Sequence, residues 1–497
     1  MQEQSETNFH KSIFKATGIF GFTQVMKIVL KILTGKFAAL FLGPAGVGIV
    51  GLLNNTLSLI SAVTGLGLNV SSVREVAIAE SENNQQKVSE VIVLLNRWSI
   101  AIGLIGAIIS LGFSKLLSRW TFGTAEYDYW FVILSVYFLF TSISSAQTAI
   151  MQGKRMLRKI VISSVVSTFF IAIITVPIYY FYGLQGIVPV ILLSSVITVL
   201  ANFFMIRDLR NQKISMSLKE TLVKGKSMIK LGILLSLNVV FGQFCIFIIK
   251  LFLNGQGSSA QILGFYEVST VIVVSYLGMV FSAMSNDFYP ALTSLRDEKE
   301  KFVKLVNHQT ESALLIVTPA IIFLYFLAPL MIQVLYSKEF LQVVVILKAA
   351  LFSVILKAIT WPLGFIILAK GNNRQYFKQE IVGDSMNIVF TLVFYHYFGL
   401  SGIGFASVLM FLLYGLYVYY VVNRKYGFTY DRITLIAILK SFGLGLLAMI
   451  SIFVLDYPVA YLPLGFLFIV SVILSAYEFN KKVGFKKVKD KIKSKFN

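Results

Sequence analysis

The sequence predicts an all-α integral membrane protein of 14 transmembrane helices, built as two pseudo-symmetric six-helix lobes followed by two C-terminal helices. Three observations carry this reading. Of 497 residues, 57% are hydrophobic and only 13% charged, and the mean hydropathy of +0.79 lies outside the range of soluble domains. Apolar stretches of about 20 residues, each enough to cross roughly 30 Å of hydrocarbon as a helix, recur to the end of the chain. A membrane barrel would instead alternate polarity along strands of about ten residues. Finally, "FYGLQGI" at 181–187 returns as "YFGLSGI" at 397–403. That offset of 216 also carries Gly48 onto Gly264, and "GKR" at 153 and "GNNR" at 371 agree with it within two residues.

The spans are expected at 12–42, 45–72, 91–113, 128–151, 160–182, 184–206, 229–253, 262–288, 310–336, 341–369, 380–398, 401–422, 434–455 and 461–479. This gives an N-terminal tail over 1–11, a first lobe over 12–206, a basic linker over 207–228, a second lobe over 229–422, an added pair over 434–479 and a basic tail over 480–497. Pro44 marks the first hairpin, and Pro177, Pro189, Pro319 and Pro362 mark kinks within spans. Six spans is an even number, so the two copies share an orientation and are related by an axis along the membrane normal, a transporter architecture.

Charge placement orients the chain. With the first tail and every second loop on the cytoplasmic side, most Lys and Arg fall there, and only Lys115, Arg119 and Lys338 lie in loops opposite. Both termini are then cytoplasmic. The first apolar stretch follows Glu3 and Glu6 and has no small-residue cleavage pattern, so it reads as a retained span. The final "KKVGFKKVKDKIKSK" reads as an anchor for anionic headgroups, and the net charge of +21 points to membrane lipids as partners, with no nucleic acid. One cysteine, Cys245, and three scattered histidines, His10, His308 and His396, exclude a disulfide framework and a Cys/His metal site. No nucleophilic set, P-loop or nucleotide loop is present, so neither catalysis nor a cofactor is expected.

The chemistry lies in polar groups inside the spans. A lysine at the centre of a membrane helix costs roughly 2.5 to 3.5 kcal/mol, so it needs a partner, a wet cavity or an anionic ligand. At 100° per residue Thr17, Gln24, Lys27, Lys31 and Thr34 share one side of the first span, while Lys36 lies near its outer end and can snorkel. Asn54, Ser58, Ser61, Gly65, Asn69 and Ser72 share a face of the second; close helix packing explains the small residues, and Asn54 reads equally as cavity lining. Lys250 and Glu267 lie at similar depth across the short "NGQGSS" loop and are expected to pair, with Glu267 also placed to load and release a proton. Lys357 sits mid-span, with Ser353, Thr360 and Gly364 on its face, and Lys348 opposite. Cations inside spans outnumber the acids there, of which only Glu267 and Asp384 lie well inside; Asp287, Glu311 and Glu380 are at edges. The balance implies a hydrated, positive cavity suited to a ligand carrying phosphate or other acidic groups.

"GKFAALFLGPAGVGIVGLLNNTLSLISAVTGLGLNVSSVREVA", residues 35–77, resembles the first two helices of bacterial O-antigen translocases, with the "FLGPAGVGIVGL" hairpin the most specific part. These are Wzx-type flippases of the polysaccharide transporter family, within the multidrug/oligosaccharidyl-lipid/polysaccharide (MOP) exporter superfamily. The resemblance implies a V-shaped, two-lobed fold that moves undecaprenyl-pyrophosphate-linked oligosaccharide from the cytoplasmic to the periplasmic leaflet of the inner membrane. On that basis Lys27, Lys31 and Lys357 are expected to hold pyrophosphate or acidic sugars, and Gln24, Asn54 and Gln243 to bond sugar hydroxyls. Arg74 and Arg97, near the cytoplasmic mouth, are read as head-group capture or as topology anchors. Glu267 or Asp384 is expected to couple transport to a proton or sodium gradient. The chain is expected to act as a monomer, with a polysaccharide polymerase and chain-length regulator as pathway partners. Twelve spans are common in the family, so the last pair departs from its pattern.

Two other classes compete. A cation-coupled drug exporter of the same superfamily would line its cavity with acids, where the first span has lysines. A membrane glycan polymerase or ligase would need a catalytic group on a sizeable outer loop, and the longest outer loop, 114–127, has Glu126 as its only acid.

Overall fold

The computed structural model describes residues 2–65, 67–82, 84–210, 216–255 and 260–483. Side chains of residues 2–25, 27 and 28 fall outside the description, and with them Gln24 and Lys27; so does the basic tail after residue 483. Every regular element among the described residues is a helix. Among the described residues eleven stretches are long and apolar enough to cross a membrane; Leu157–Leu209 and Asn373–Tyr426 each hold two expected spans, and Val29–Thr64 takes in the later part of the first expected span and the second as far as Thr64. Helix runs through each of the 14 expected spans, the second of them only as far as Thr64 before a break, and the protein is a multi-pass membrane protein.

The chain divides into two compact units, Met1–Gly264 with Leu335–Ser337, and Phe265–Val334 with Lys338–Asn497. The first unit contains α1 (Gln2–Thr64), α2 (Leu68–Ser81), α3 (Gln85–Gly112), α4 (Ser114–Phe122), α5 (Asp128–Ile133), α6 (Ser135–Gly153), α7 (Leu157–Tyr182), α8 (Ile187–Ile206) and α9 (Leu218–Gly255). Helix α10 (Ala260–Thr270) runs from the end of this unit into the second. The second unit continues with α11 (Gly278–Ser294), α12 (Lys299–Leu335), α13 (Val343–Ala369), α14 (Asn373–Tyr426), α15 (Arg432–Val454) and α16 (Tyr461–Val483).

Local sequence explains the breaks. Helix α1 breaks at Gly43, whose φ of 63° suits a residue without Cβ, and Pro44 starts its second half where a missing N–H costs nothing. The second expected span stops at Thr64, and Gly67, at φ 62°, separates it from α2. The polar face predicted from Asn54 to Ser72 therefore does not run along one helix. Asn84, Asn372 and Asp431 accept hydrogen bonds from backbone N–H groups at the starts of α3, α14 and α15.

The second half of the segment expected as a linker, from Leu218 on, becomes the first turns of α9. Ser217 and Glu220 form a reciprocal cap, Ser217 N donating to Glu220 Oε2 at 2.8 Å and Glu220 N to Ser217 Oγ at 3.1 Å. These bonds hold the Glu220 carboxyl below its ordinary value. The same turns clamp onto α3: Arg97 donates to Ser217 O and Thr221 Oγ1, Trp98 Nε1 to Thr221 O, and Lys224 pairs with Glu90 at 2.6 Å, which raises the Lys224 ammonium above its ordinary value.

The internal repeat is visible in the backbone. Gly183 and Gly399, 216 residues apart, both have positive φ, 52° and 58°. Arg155 and Gly371, again 216 apart, have φ 54° and 70° and close matching turns: Lys154 N→Ile150 O with Lys370 N→Ile366 O, and Met156 N→Met151 O with Asn372 N→Ile367 O. Side chains repeat as well. Lys154 pairs with Glu80 in the first unit, and in the second Lys370 donates to the carbonyl of Arg296, the residue at Glu80's repeat position. Phe181 and Tyr397, also 216 apart, are each 74% exposed, as aromatics at a membrane interface are. Within the first unit, Gly48 and Gly264 bring α1 and α10 into backbone contact: a Cβ on Gly48 would overlap the Ala260 carbonyl, and one on Gly264 the Pro44 carbonyl.

Candidate functional site

Helix α13 is enclosed along most of its length, with Val354, Ile355, Leu356, Ala358 and Leu363 buried, yet Lys357 sits in the middle of this run. Trp361 follows one turn later on the same side of the helix. Across from them lies α11 and, before it, residues 271–276, wound as one wide π-type turn, a geometry frequent at functional sites. Lys357 and Trp361 line a cavity of about 380 Å³ together with Ser275, Ser282, Ser285 and Phe281.

The Lys357 ammonium lies 5.3 Å from the ring centre of Phe281 and 6.0 Å from that of Phe411, so two aromatic faces share its charge. Trp361 is held by Phe281, Phe288 and Phe365 at centroid distances of 5.5, 5.8 and 5.3 Å. Ser282 and Ser285 donate to Gly278 O at 3.0 Å and Ser282 O at 2.9 Å, which leaves their oxygens free to accept. No carboxylate is among the described residues lining the cavity. The arrangement offers an unneutralised cation, hydroxyl groups and flat apolar rings in one recess, features that suit an anion with polar and apolar parts. The other residues expected on the Lys357 face serve packing. Ser353 is fully buried and donates to Ala350 O, while Thr360 donates to Leu356 O and lies against Gly415 of α14.

Also in the second unit, α14 carries Glu380 and Asp384 one turn apart, with Tyr414 from its second half packed on the intervening Gly383 and in electrostatic reach of both acids. Glu267 lies on α10 in this unit, whereas Lys250 belongs to the first and donates to Gly51 O at 3.0 Å. Among the described residues no group of three potential metal ligands occurs.

In the first unit Lys31 is exposed on α1 and Arg74 on α2. Arg97 is engaged in the α3–α9 clamp, so its guanidinium has a structural job. Asn54 is exposed, while its neighbour Asn55 is buried and donates to Gln243 Oε1 at 3.0 Å. Sequence reasoning missed Asn55, which differs from Asn54 only in facing α9 rather than away from it. It also missed Trp361, Phe281 and the three serines, which come together only through the packing of α11 on α13.

Known proteins place this geometry in context. Residues 37–345 match the family described as "Polysaccharide biosynthesis protein". No curated protein matches the sequence. Among solved structures, the lipid II flippase MurJ in an inward-closed conformation is similar over 94% of this chain and 99% of its own, with a TM-score of 0.70 at 16% identity. A multidrug-resistance MATE transporter of the MOP superfamily, facing inward, is similar over 80% and 95%, with a TM-score of 0.66 at 17% identity. A MOP superfamily transporter from Pyrococcus furiosus, described as having a binding pocket of reverse polarity, gives a TM-score of 0.57 at 16% identity over 82% and 96%. With a MOP-transporter fold and a family match over more than half of its length, the chain belongs to the polysaccharide biosynthesis protein family.

Proposed function

We propose that this protein is a flippase, carrying an undecaprenyl-pyrophosphate-linked oligosaccharide from the cytoplasmic to the periplasmic leaflet of the bacterial inner membrane. The Lys357 cavity is the observation that carries the reading: a cation deep in an apolar helix, beside serine hydroxyls and aromatic faces and with no carboxylate in its lining. The lipid tail stays in hydrocarbon, so the protein acts by removing the cost of dragging a charged, polar head through it. Lys357 holds a phosphate or an acidic sugar, Trp361 and Phe281 stack against sugar rings, and Ser275, Ser282 and Ser285 bond hydroxyls. Lys27 and Lys31 of the first helix add to the positive field, and Gln24, Asn54 and Gln243 contribute polar contacts.

Return to the loading state is driven by a proton or sodium gradient. Asp384 is its carrier, with Glu380 one turn away and Tyr414 against the same face. Glu267 is the second carrier position.

Deleting the gene and analysing accumulated lipid-linked intermediates identifies the cargo. Complementation with Lys357→Gln is expected to leave that intermediate on the cytoplasmic leaflet. Full restoration of surface glycan by this variant, at normal protein level, overturns the assignment.

A further inference from the structure

Two of the three basic residues that charge placement leaves in outer loops, Lys115 and Arg119, stand one turn apart on α4. Nothing in the Lys357 cavity uses them. Helix α4 follows directly on α3, which is long and apolar enough to cross a membrane, so it begins where that helix leaves the hydrocarbon. Phe113, at φ −108° and ψ 15°, breaks the helical path between the two, and Gly123, at φ 79°, ends α4 after nine residues.

Three rows of side chains divide this short helix. Leu117, Ser118 and Thr121 are buried and fix it to the first unit. The Thr121 hydroxyl lies 3.2 Å from that of Thr56 on α1, and its carbonyl accepts from Asn254 of α9 at 3.3 Å. Ser118 Oγ donates to Thr124 O at 2.7 Å. Leu116 and Trp120 form the second row, 39% and 54% exposed, with Phe113 at the helix entry 55% exposed. At 100° per residue the third row, Lys115 and Arg119, adjoins the second. Both cations are exposed and neither has an ion pair among the described residues, although Glu126 lies in the same loop.

The apolar row belongs to a larger surface. On α3, Ile100, Leu104, Ile108 and Leu111 are exposed along one side, as on a helix that meets lipid, and exposed apolar surface continues past the end of α3 at Phe113, Leu116 and Trp120. Tyr129 of α5 is exposed as well. Exposed Trp and Tyr at the ends of spans mark the level of the headgroups.

We propose that α4 lies in the headgroup layer of the outer leaflet and binds anionic phospholipid there. Phe113, Leu116 and Trp120 sit at the acyl boundary, and Lys115 and Arg119 take the lipid phosphates, Arg119 with two parallel N–H groups. Charge selects the lipid: two exposed cations with no acid against them attract a headgroup of net negative charge, whereas a zwitterionic headgroup cancels its own phosphate. Continuity with the lipid-facing side of α3 selects a membrane over a protein partner, which would have to cover apolar surface that hydrocarbon already covers.

The test uses the full-length protein in vesicles of equal phosphatidylglycerol and phosphatidylcholine, with one lipid or the other brominated on its acyl chains. Trp120 emission is taken as the difference between the native protein and Trp120→Phe. Brominated phosphatidylglycerol is expected to quench it with an apparent affinity at least about threefold higher than brominated phosphatidylcholine. The double variant Lys115→Gln, Arg119→Gln should bring the two lipids level while both still quench, since the apolar row is intact. Equal quenching by the two lipids in the native protein overturns the proposal, and so does a preference that survives in the double variant. Trp120 untouched by either lipid, the result of water, a second copy or another protein against this face, overturns it too.

Discussion

Lys357 illustrates a trade between stability and function. Its ammonium costs roughly 2.5–3.5 kcal/mol in a membrane helix, and contact with Phe281 and Phe411 offsets only about 0.5–2 kcal/mol of that. Lys357→Met keeps the chain length and removes the charge, so it is expected to stabilise the purified protein by about 1 kcal/mol while abolishing transport. A thermal melt in detergent checks the first effect; a lower melting temperature contradicts the account. A contrasting residue is Gly264, where a Cβ would overlap the Pro44 carbonyl. Gly264→Ala is expected to cost about 1–3 kcal/mol. Gly443→Ala, with open space around it, should be neutral in the same melt. Lys357 was legible in the sequence because one charge in an apolar run has few explanations. Its partners were not, because Trp361 and Phe281 are two among many aromatics in this chain and serines are common packing residues in membrane helices.

At the scale of elements, the first turns of α9 are held by groups that respond to pH in opposite directions. Glu220 has its folded value lowered from 4.5, so its contribution is present above that pH and lost as pH falls through the lower folded value. Lys224 has its value raised from 10.5, so its contribution is present below that pH and lost as pH rises through the higher folded value. The clamp on α3 is therefore complete across neutral pH. Acidification to below about 4 should speed amide hydrogen exchange at residues 220–224, after correction for the intrinsic rate, and Ser217→Ala should do so already at pH 7. Unchanged exchange in both cases contradicts the cap. The Ser-Leu-Lys-Glu spacing of this cap was readable at 217–220, but the surrounding basic residues favoured a linker. The break after Thr64 was likewise written in the Gly65 and Gly67 pair, which helical periodicity alone passes over.

For the whole molecule, the sequence was most informative where it repeated itself. Matches that were weak as letters, such as "GKR" and "GNNR", became the same turn with the same hydrogen bonds once the backbone was in view. Span number followed from hydropathy, since each helix must cross a fixed thickness. The Lys357 cavity did not, because it is assembled from helices distant in sequence. The most direct measurement of the central claim uses proteoliposomes that contain the purified protein and a fluorescent polyprenyl-pyrophosphate oligosaccharide, with head-group exposure followed by an impermeant quencher. The account predicts rapid exchange of the head between leaflets with the native protein and about a tenfold or greater slowing with Lys357→Gln. Equal rates for the two, or no exchange beyond protein-free vesicles, would contradict it.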